Sequence, residues 1–303
     1  MDTVSTLVVG GLVVAALVVI RTAVWHVTSR AVQQRLGRPG PDGVVAGAES
    51  IRHDGTGPVA ILALHGFGDT PQSLAYLATA LHARGWTVHV PLLPGHGRSL
   101  AALAASTGDD WERAAREALL PLLATGQRVI VVGQSMGAAL AALLAANEPG
   151  IAGCAWLAPL LSTTPEMERG ARLWWLIGVL RPVLDTRDAR SILDPVERAR
   201  AIGYGALPVR LAPELVRLVH RAISALPGIL VPTLVLQSRE DHRVTAAGTE
   251  AAIARLGTRD VTLHWVTGAG HVLAVDYGHE SVCARVVEWI ALHGTVAPLV
   301  HPV

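Results

Sequence analysis

The chain contains no lysine: all 25 basic residues are arginine, spread along the sequence against 24 acidic ones. The net charge is +1 with no long run of one sign, which leaves nucleic-acid binding without electrostatic support. Arginine stands in for lysine everywhere and not in one patch, the mark of a genome-wide bias. There are two cysteines, Cys154 and Cys283, far apart and outside any metal-ligand spacing. They exclude a disulfide framework and read as ordinary buried thiols, with a lean toward a reducing compartment. No pair of histidines is spaced with an acid to hold a metal. Repeats are absent, and Ala/Leu-rich helical stretches are the nearest thing to low complexity.

What the chain has in excess is apolar residues, 51% of the total with a mean hydropathy of +0.41. That is high for a protein wholly surrounded by water and points to a part that meets lipid. Thr3 to Ile20 carries no charge, which is close to the shortest span that crosses a hydrocarbon core as a helix. A cleaved signal peptide would need a positive residue before the run and a small-x-small site after it. Only Asp2 precedes the run, and Arg21 follows. The segment is therefore read as a membrane anchor over residues 1–27, with Trp25 at the interface. Arg21, Arg30, Arg35 and Arg38 all follow the run, and the positive-inside rule then puts the rest of the chain in the cytoplasm. Residues 28–48, with GRPGPDGVVAG, read as a linker to a folded domain over 49–303.

Within that domain, six short runs rich in Val, Leu and Ile alternate with helical patterns. The runs are Val59–Phe67, Trp86–Gly95, Arg128–Ser135, Gly153–Leu160, Pro232–Asp241 and Val261–His271. Their continuous apolar character predicts strands covered on both faces. Helices are expected over Pro71–Arg84, Asp109–Leu123, Met136–Asn147, Thr245–Leu256 and Ser281–Leu292, with Thr70 as N-cap of the first. The alternation predicts an α/β fold with a mostly parallel central sheet flanked by helices. Residues from about 162 to 228, Arg-rich and interrupted by prolines, break the alternation and are expected to form a helical cap over the strand ends.

Chemistry is concentrated at the ends of these strands. GQSMG (Gly133–Gly137) follows an apolar strand and opens a helix, the setting a nucleophile elbow requires, with Ser135 as nucleophile. A helix starting at Met136 aims free N–H groups and its positive end at the serine. A serine hydroxyl needs a base, and His271 in GAGHVL sits in a glycine-rich turn after the last strand. His65 and His96 also follow strands, but their flanking glycines read as tight structural turns. Asp241 ends a strand between Ser135 and His271 in the chain and would hold the imidazole in one tautomer. Asp276 is the rival acid, read as capping the final helix or tethering the histidine loop. The backbone N–H groups of Met136 and of Phe67, in HGFGD, are the expected oxyanion donors. Trp174 and Trp175, in an apolar helical stretch of the insertion, are read either as an acyl-binding lid or as packing of the cap.

With HGFGD (His65–Asp69), PLLPGHG (Pro91–Gly97), GQSMG, SREDHRV (Ser238–Val244) and GAGHVLAVD (Gly268–Asp276) in order, residues 50 to 292 resemble the α/β-hydrolase superfamily. The chain looks most like the bacterial carboxylesterase and monoacylglycerol lipase group. That resemblance implies the same site residues, no cofactor, and carboxylic esters or monoacylglycerols as substrates. The sequence departs from the group at Ala138, where many relatives have glycine, in the apolar N-terminus, and in a longer, Arg-rich cap. A lipid-derived small-molecule ester is the expected substrate. An acyltransferase, a peroxidase-like or carbon–carbon hydrolase, and a non-catalytic binding protein are the alternatives.

Overall fold

A computed structural model describes residues 3–294. Helix α1 (Thr3–Leu36) opens the chain and is about 50 Å long at 1.5 Å per residue. It runs past residue 27, the expected end of the anchor, because no glycine or proline interrupts residues 21–36 and because Val32 and Leu36 are buried against the domain. Gly37, with φ +90°, ends it by donating its N–H to the Gln33 carbonyl. The expected linker of residues 28–48 is thus a helix end followed by a packed strap, in which Val44, Val45 and Ala48 are buried.

The domain then proceeds through β1 (Ile51–His53), β2 (Val59–Leu64), α2 (Ala75–His82), β3 (Thr87–Val90), α3 (Leu100–Ala105) and α4 (Gly108–Leu123). It continues with β4 (Arg128–Gln134), α5 (Met136–Asn147) and β5 (Ile151–Leu157). The insertion carries α6 (Pro165–Arg172), α7 (Trp174–Leu180), β6 (Val183–Asp185), α8 (Pro195–Arg200), β7 (Ala206–Pro208) and α9 (Ala212–Ala225). Last come β8 (Thr233–Ser238), α10 (Ala246–Ile253), β9 (Val261–Val266) and α11 (His279–His293).

Seven strands form one sheet in the order β1-β3-β2-β4-β5-β8-β9, parallel except for β1. All six expected strands are present. β1 has no apolar run to announce it and pairs antiparallel with β3, Ile51 opposite Val90. Strands β2, β4, β5 and β8 are almost wholly buried, as continuous apolar runs demand. β9 is only half-buried because it is the sheet edge; the Arg239 guanidinium covers it, 4.5 Å over the Trp265 ring.

One face of the sheet packs on α2 and α11 through Leu77, Leu81, Val286 and Trp289. The other packs on α5, α4 and α9. Helix α5 is apolar on every side, which suits a helix enclosed between the sheet and α9. α9 itself buries Val216, Leu218, Val219 and Ala222, so the last part of the insertion joins the helical layer and does not stand above the strands. By contrast, α6 and α7 bury no residue. The insertion also contains a two-stranded antiparallel ribbon, β6 with β7, that periodicity did not reveal.

The chain order reverses between β2 and β4, which are neighbours although β3 lies between them in sequence. The crevice at the carboxyl ends of such a pair is where open α/β sheets place their ligands.

Candidate active site

Gln134 ends β4 and Met136 starts α5, leaving a single residue to turn the chain. Ser135 makes that turn at φ 55°, ψ −116°, a conformation that costs a non-glycine residue about 1–3 kcal/mol. The flanking glycines are dictated by contact. A Cβ on Gly133 would lie 2.3 Å from the Gly137 carbonyl oxygen, and one on Gly137 would lie 2.0 Å from that of Leu64. Helix α5 can start this close to β2 and β4 only without those side chains.

Ser135, His271 and Asp241 converge from three separate loops. The Ser135 hydroxyl is 2.8 Å from His271 Nε2, and His271 Nδ1 is 2.7 Å from Asp241 Oδ2. A hydroxyl donating to Nε2 leaves the ring proton on Nδ1, where it donates to the carboxylate. Asp241 Oδ1 accepts from the Arg243 and Val244 N–H groups, and Oδ2 also accepts from Gln237 Nε2 at 3.1 Å. Burial pushes the Asp241 carboxyl up, but the His271 hydrogen bond, its charge and the two backbone donors outweigh that and hold it below the usual carboxylate range.

The histidine loop is held at its backbone. His271 and Val272 both donate to the Ser191 carbonyl, each at 2.9 Å, and Gly270 donates to Asp276 Oδ2 at 2.6 Å. Asp276, fully buried, also accepts from the N–H groups of Leu193, Asp194 and Tyr277, all at 2.8 Å. It ties the histidine loop to the insertion and lies outside the Ser135–His271–Asp241 chain of bonds.

The loop after β2 closes the other side. A Cβ on Gly66 would sit 3.4 Å from the Ser135 Cβ, so this backbone passes beside the nucleophile. Among the described residues neither the Phe67 nor the Met136 backbone N–H has a hydrogen-bond partner, which leaves both donors free. The Phe67 ring is seated edge-on to His96 and Trp111, at 5.9 and 5.6 Å between centroids. Two neutral imidazoles support it. Leu93 N–H donates to His65 Nε2 at 3.1 Å, so His65 Nδ1 carries the proton and faces the Gly66 carbonyl. Burial pushes His65 down to about 3 and His96 to about 4. Both histidines are structural, as their glycine neighbours predicted.

The insertion braces the same loop. Tyr204 N–H donates to the Gly68 carbonyl at 2.8 Å, and Thr70 Oγ1 donates to Ile202 O at 3.1 Å. Thr70 therefore occupies the N-cap position without capping, because its hydroxyl is spent on the insertion. The Tyr204 hydroxyl reaches Gly95 O at 2.7 Å, and its carbonyl accepts from Arg35 at the end of α1 at 2.9 Å. Nothing in the sequence marked Tyr204, Ser191 or Gln237; the first two act through contacts between distant segments, and Gln237 within its own strand end and the loop that follows.

Trp174 and Trp175 are not brought to this cluster. Trp174 lines a cavity of about 330 Å³ between α1 and α7, with Arg21, Trp25, Gly178 and Arg210, and Trp175 is 61% exposed. Trp25 faces this cavity and packs against the domain. The acyl-lid reading of the two insertion tryptophans has no geometric support.

Residues 58–277 match the model of the hydrolase family described as serine aminopeptidase, S33. A thermostable monoacylglycerol lipase from Bacillus sp. (strain H-257) is 27% identical over 253 residues, covering 82% of this chain and 97% of the relative. A carboxylesterase from Bacillus subtilis (strain 168) is 23% identical over 77% of this chain and 93% of its own length. Among solved structures, a metagenome-derived lipolytic enzyme superposes with a TM-score of 0.74 at 29% identity, covering 82% of this chain and all of the other.

Proposed function

The chain belongs to the serine aminopeptidase S33 family of hydrolases, and from that premise we propose that it cleaves carboxylic esters of lipid origin, monoacylglycerols or lysophospholipids, through an acyl-enzyme. The observation that carries the reading is the unbroken chain of bonds from the Ser135 hydroxyl through His271 to Asp241. Ser135 attacks the ester carbonyl as His271 Nε2 takes its proton. The imidazolium is stabilised by Asp241, and the oxyanion by the free N–H groups of Phe67 and Met136. His271 then protonates the departing alcohol, activates a water against the acyl-serine, and returns a proton to Ser135 Oγ.

A lipid-derived substrate, as against a soluble ester, is supported by two features. The named relatives are a monoacylglycerol lipase and a carboxylesterase. The chain also has a helix long and apolar enough to cross a membrane, with Leu7, Leu12, Val18 and Val19 exposed. On this reading residues 1–27 anchor the protein, and the arginines that follow keep the domain of residues 49–303 on the cytoplasmic side.

A fluorophosphonate probe tests the chemistry: the protein should be labelled and Ser135→Ala should not. A panel of p-nitrophenyl and monoacylglycerol esters then tests the substrate class. Absence of turnover by folded, probe-reactive protein would remove the esterase reading and leave the acyltransferase and the peroxidase-like or carbon–carbon hydrolase.

A further inference from the structure

The mechanism leaves Asp69 without a task, yet its carboxylate stands beside the nucleophile. The point that a Cβ on Gly66 would occupy is 3.5 Å from Asp69 Oδ2 and 3.4 Å from the Ser135 Cβ, so the two side chains flank one small space. On its far side, Oδ1 is 3.2 Å from the place of a Gly203 Cβ, where the insertion closes over it. Among the described residues this carboxylate accepts no hydrogen bond. The charges that face it are His271, with Asp241 behind the ring, and Arg243. Tyr204, on the strap that closes over it, stays neutral because burial pushes its phenol up to about 12. Arg243 is already engaged, donating to Ser191 Oγ at 2.8 Å and Thr186 O at 2.6 Å. Burial pushes the Asp69 carboxyl up to about 6 against the pull of His271 and Arg243. The residue is part-buried, and no group in the described chain donates to its charge.

We infer that Asp69 is a charge gate: ionised, it drives the carboxylate product out of the site and turns away acyl groups that carry a negative charge, while esters of uncharged acyl chains pass. The inference rests on the esterase reading above. In deacylation, water adds to the acyl carbon and gives one proton to His271. Ser135 Oγ departs with that proton, and the acid releases its own to solvent. In the tetrahedral state the oxyanion lies next to a positive imidazolium, so Asp69 meets a nearly neutral pair. After the acid ionises, His271 is neutral and Asp69 meets one uncompensated negative charge. At an effective dielectric of about 20, unit charges about 6 Å apart repel enough to weaken binding by about tenfold to a hundredfold. The charge therefore acts on the product and spares the transition state.

Calorimetric titration of octanoate and of the neutral octanamide into the full-length protein and into Asp69→Asn tests this without depending on turnover. Octanoate should bind Asp69→Asn about tenfold tighter at pH 8, with octanamide shifted less than about twofold. The octanoate difference should narrow at pH 5.5, where Asp69 takes up its proton. Equal octanoate affinity in the two proteins, or a parallel shift of both ligands, would overturn the gate. So would hydrolysis of an aminoacyl p-nitroanilide that Asp69→Asn loses, since the carboxylate would then be an ammonium receptor. Asp69→Ser supplies the same comparison if the asparagine variant does not fold. Failure of the esterase reading shows separately, as absence of p-nitrophenyl ester turnover by the unmodified protein.

Discussion

The carboxyl rim of the sheet and the side of the molecule formed by α1 and α7 are opposites in how they satisfy their surfaces. At the rim, Asp276 takes four backbone N–H groups, Asp241 is bonded on both oxygens, and the histidine loop is tied down at its backbone. On the other side, Trp175, Leu176 and Leu180 of α7 are 54–61% exposed, next to the exposed apolar residues of α1. The two helices meet through Arg21, which donates to the Gly178 carbonyl at 3.1 Å. The difference teaches where each region finds its partner. Apart from the free Phe67 and Met136 N–H groups and the Asp69 carboxylate, the rim bonds its polar groups within the chain. The α1–α7 side leaves apolar area bare, which suits a lipid surface.

Removing rim groups should give the largest effects. Ser135→Ala should lower kcat on a p-nitrophenyl ester by about 10⁶, and Asp241→Asn by about 10⁴, because the amide presents the wrong partner to Nδ1. Gly137→Ala should destabilise the fold by about 3 kcal/mol or more in urea unfolding, since its methyl would meet the Leu64 carbonyl in a sheet that cannot give way. Asp276→Ala should cost about 100-fold in kcat with KM little changed, because it lets the His271 loop shift without touching the reacting atoms. If that variant kept full kcat, the rim would be less tightly determined than the bonding implies.

Acid should loosen the rim next. His65 and His96 are held near 3 and 4 in the fold but protonate near 6.5 when unfolded. The unfolded state therefore binds more protons between those values, and stability is full above pH 6.5 and falls as pH drops below it. At pH 5 the loss should be about 2 kcal/mol per ring, read as a lower urea midpoint. His96→Asn should flatten the dependence. The smallest effect belongs to the other region. Trp175→Ser with Leu180→Ser should leave turnover of a soluble short-chain ester within about twofold and reduce turnover of a vesicle-embedded monoacylglycerol by about tenfold. Equal loss on both substrates would erase the contrast between the two regions.

Much of the rim was legible because its requirements are local. An apolar strand, a one-residue turn between glycines and an apolar helix must be contiguous, so Ser135 shows itself in five letters. His271 and Asp241 show themselves by lying just past strands that must end at the same edge. The insertion was legible only as an interruption. Its ribbon is six residues without alternation, α9 turned out to belong to the helical layer, and of the tryptophans read as lid or as packing, Trp174 lines a cavity against α1 and Trp175 is exposed. α1 was legible as apolar, but not where it ends, because burial of Val32 and Leu36 carries it further than composition alone indicates.

By itself the sequence determined the sheet, the elbow and the chain order of three chemical groups, since each follows from short-range pattern and the geometry of strand and helix. Only the tertiary structure decided which acid faces His271, what holds the Phe67 loop, and that an unbonded carboxylate lies beside Ser135. Those outcomes depend on contacts between separate segments, 30 residues apart for His271 with Asp241 and more than a hundred for Tyr204 with Gly68 and Gly203 with Asp69. Such contacts are fixed by packing and backbone hydrogen bonding, and leave no periodicity or spacing along the chain from which to read them.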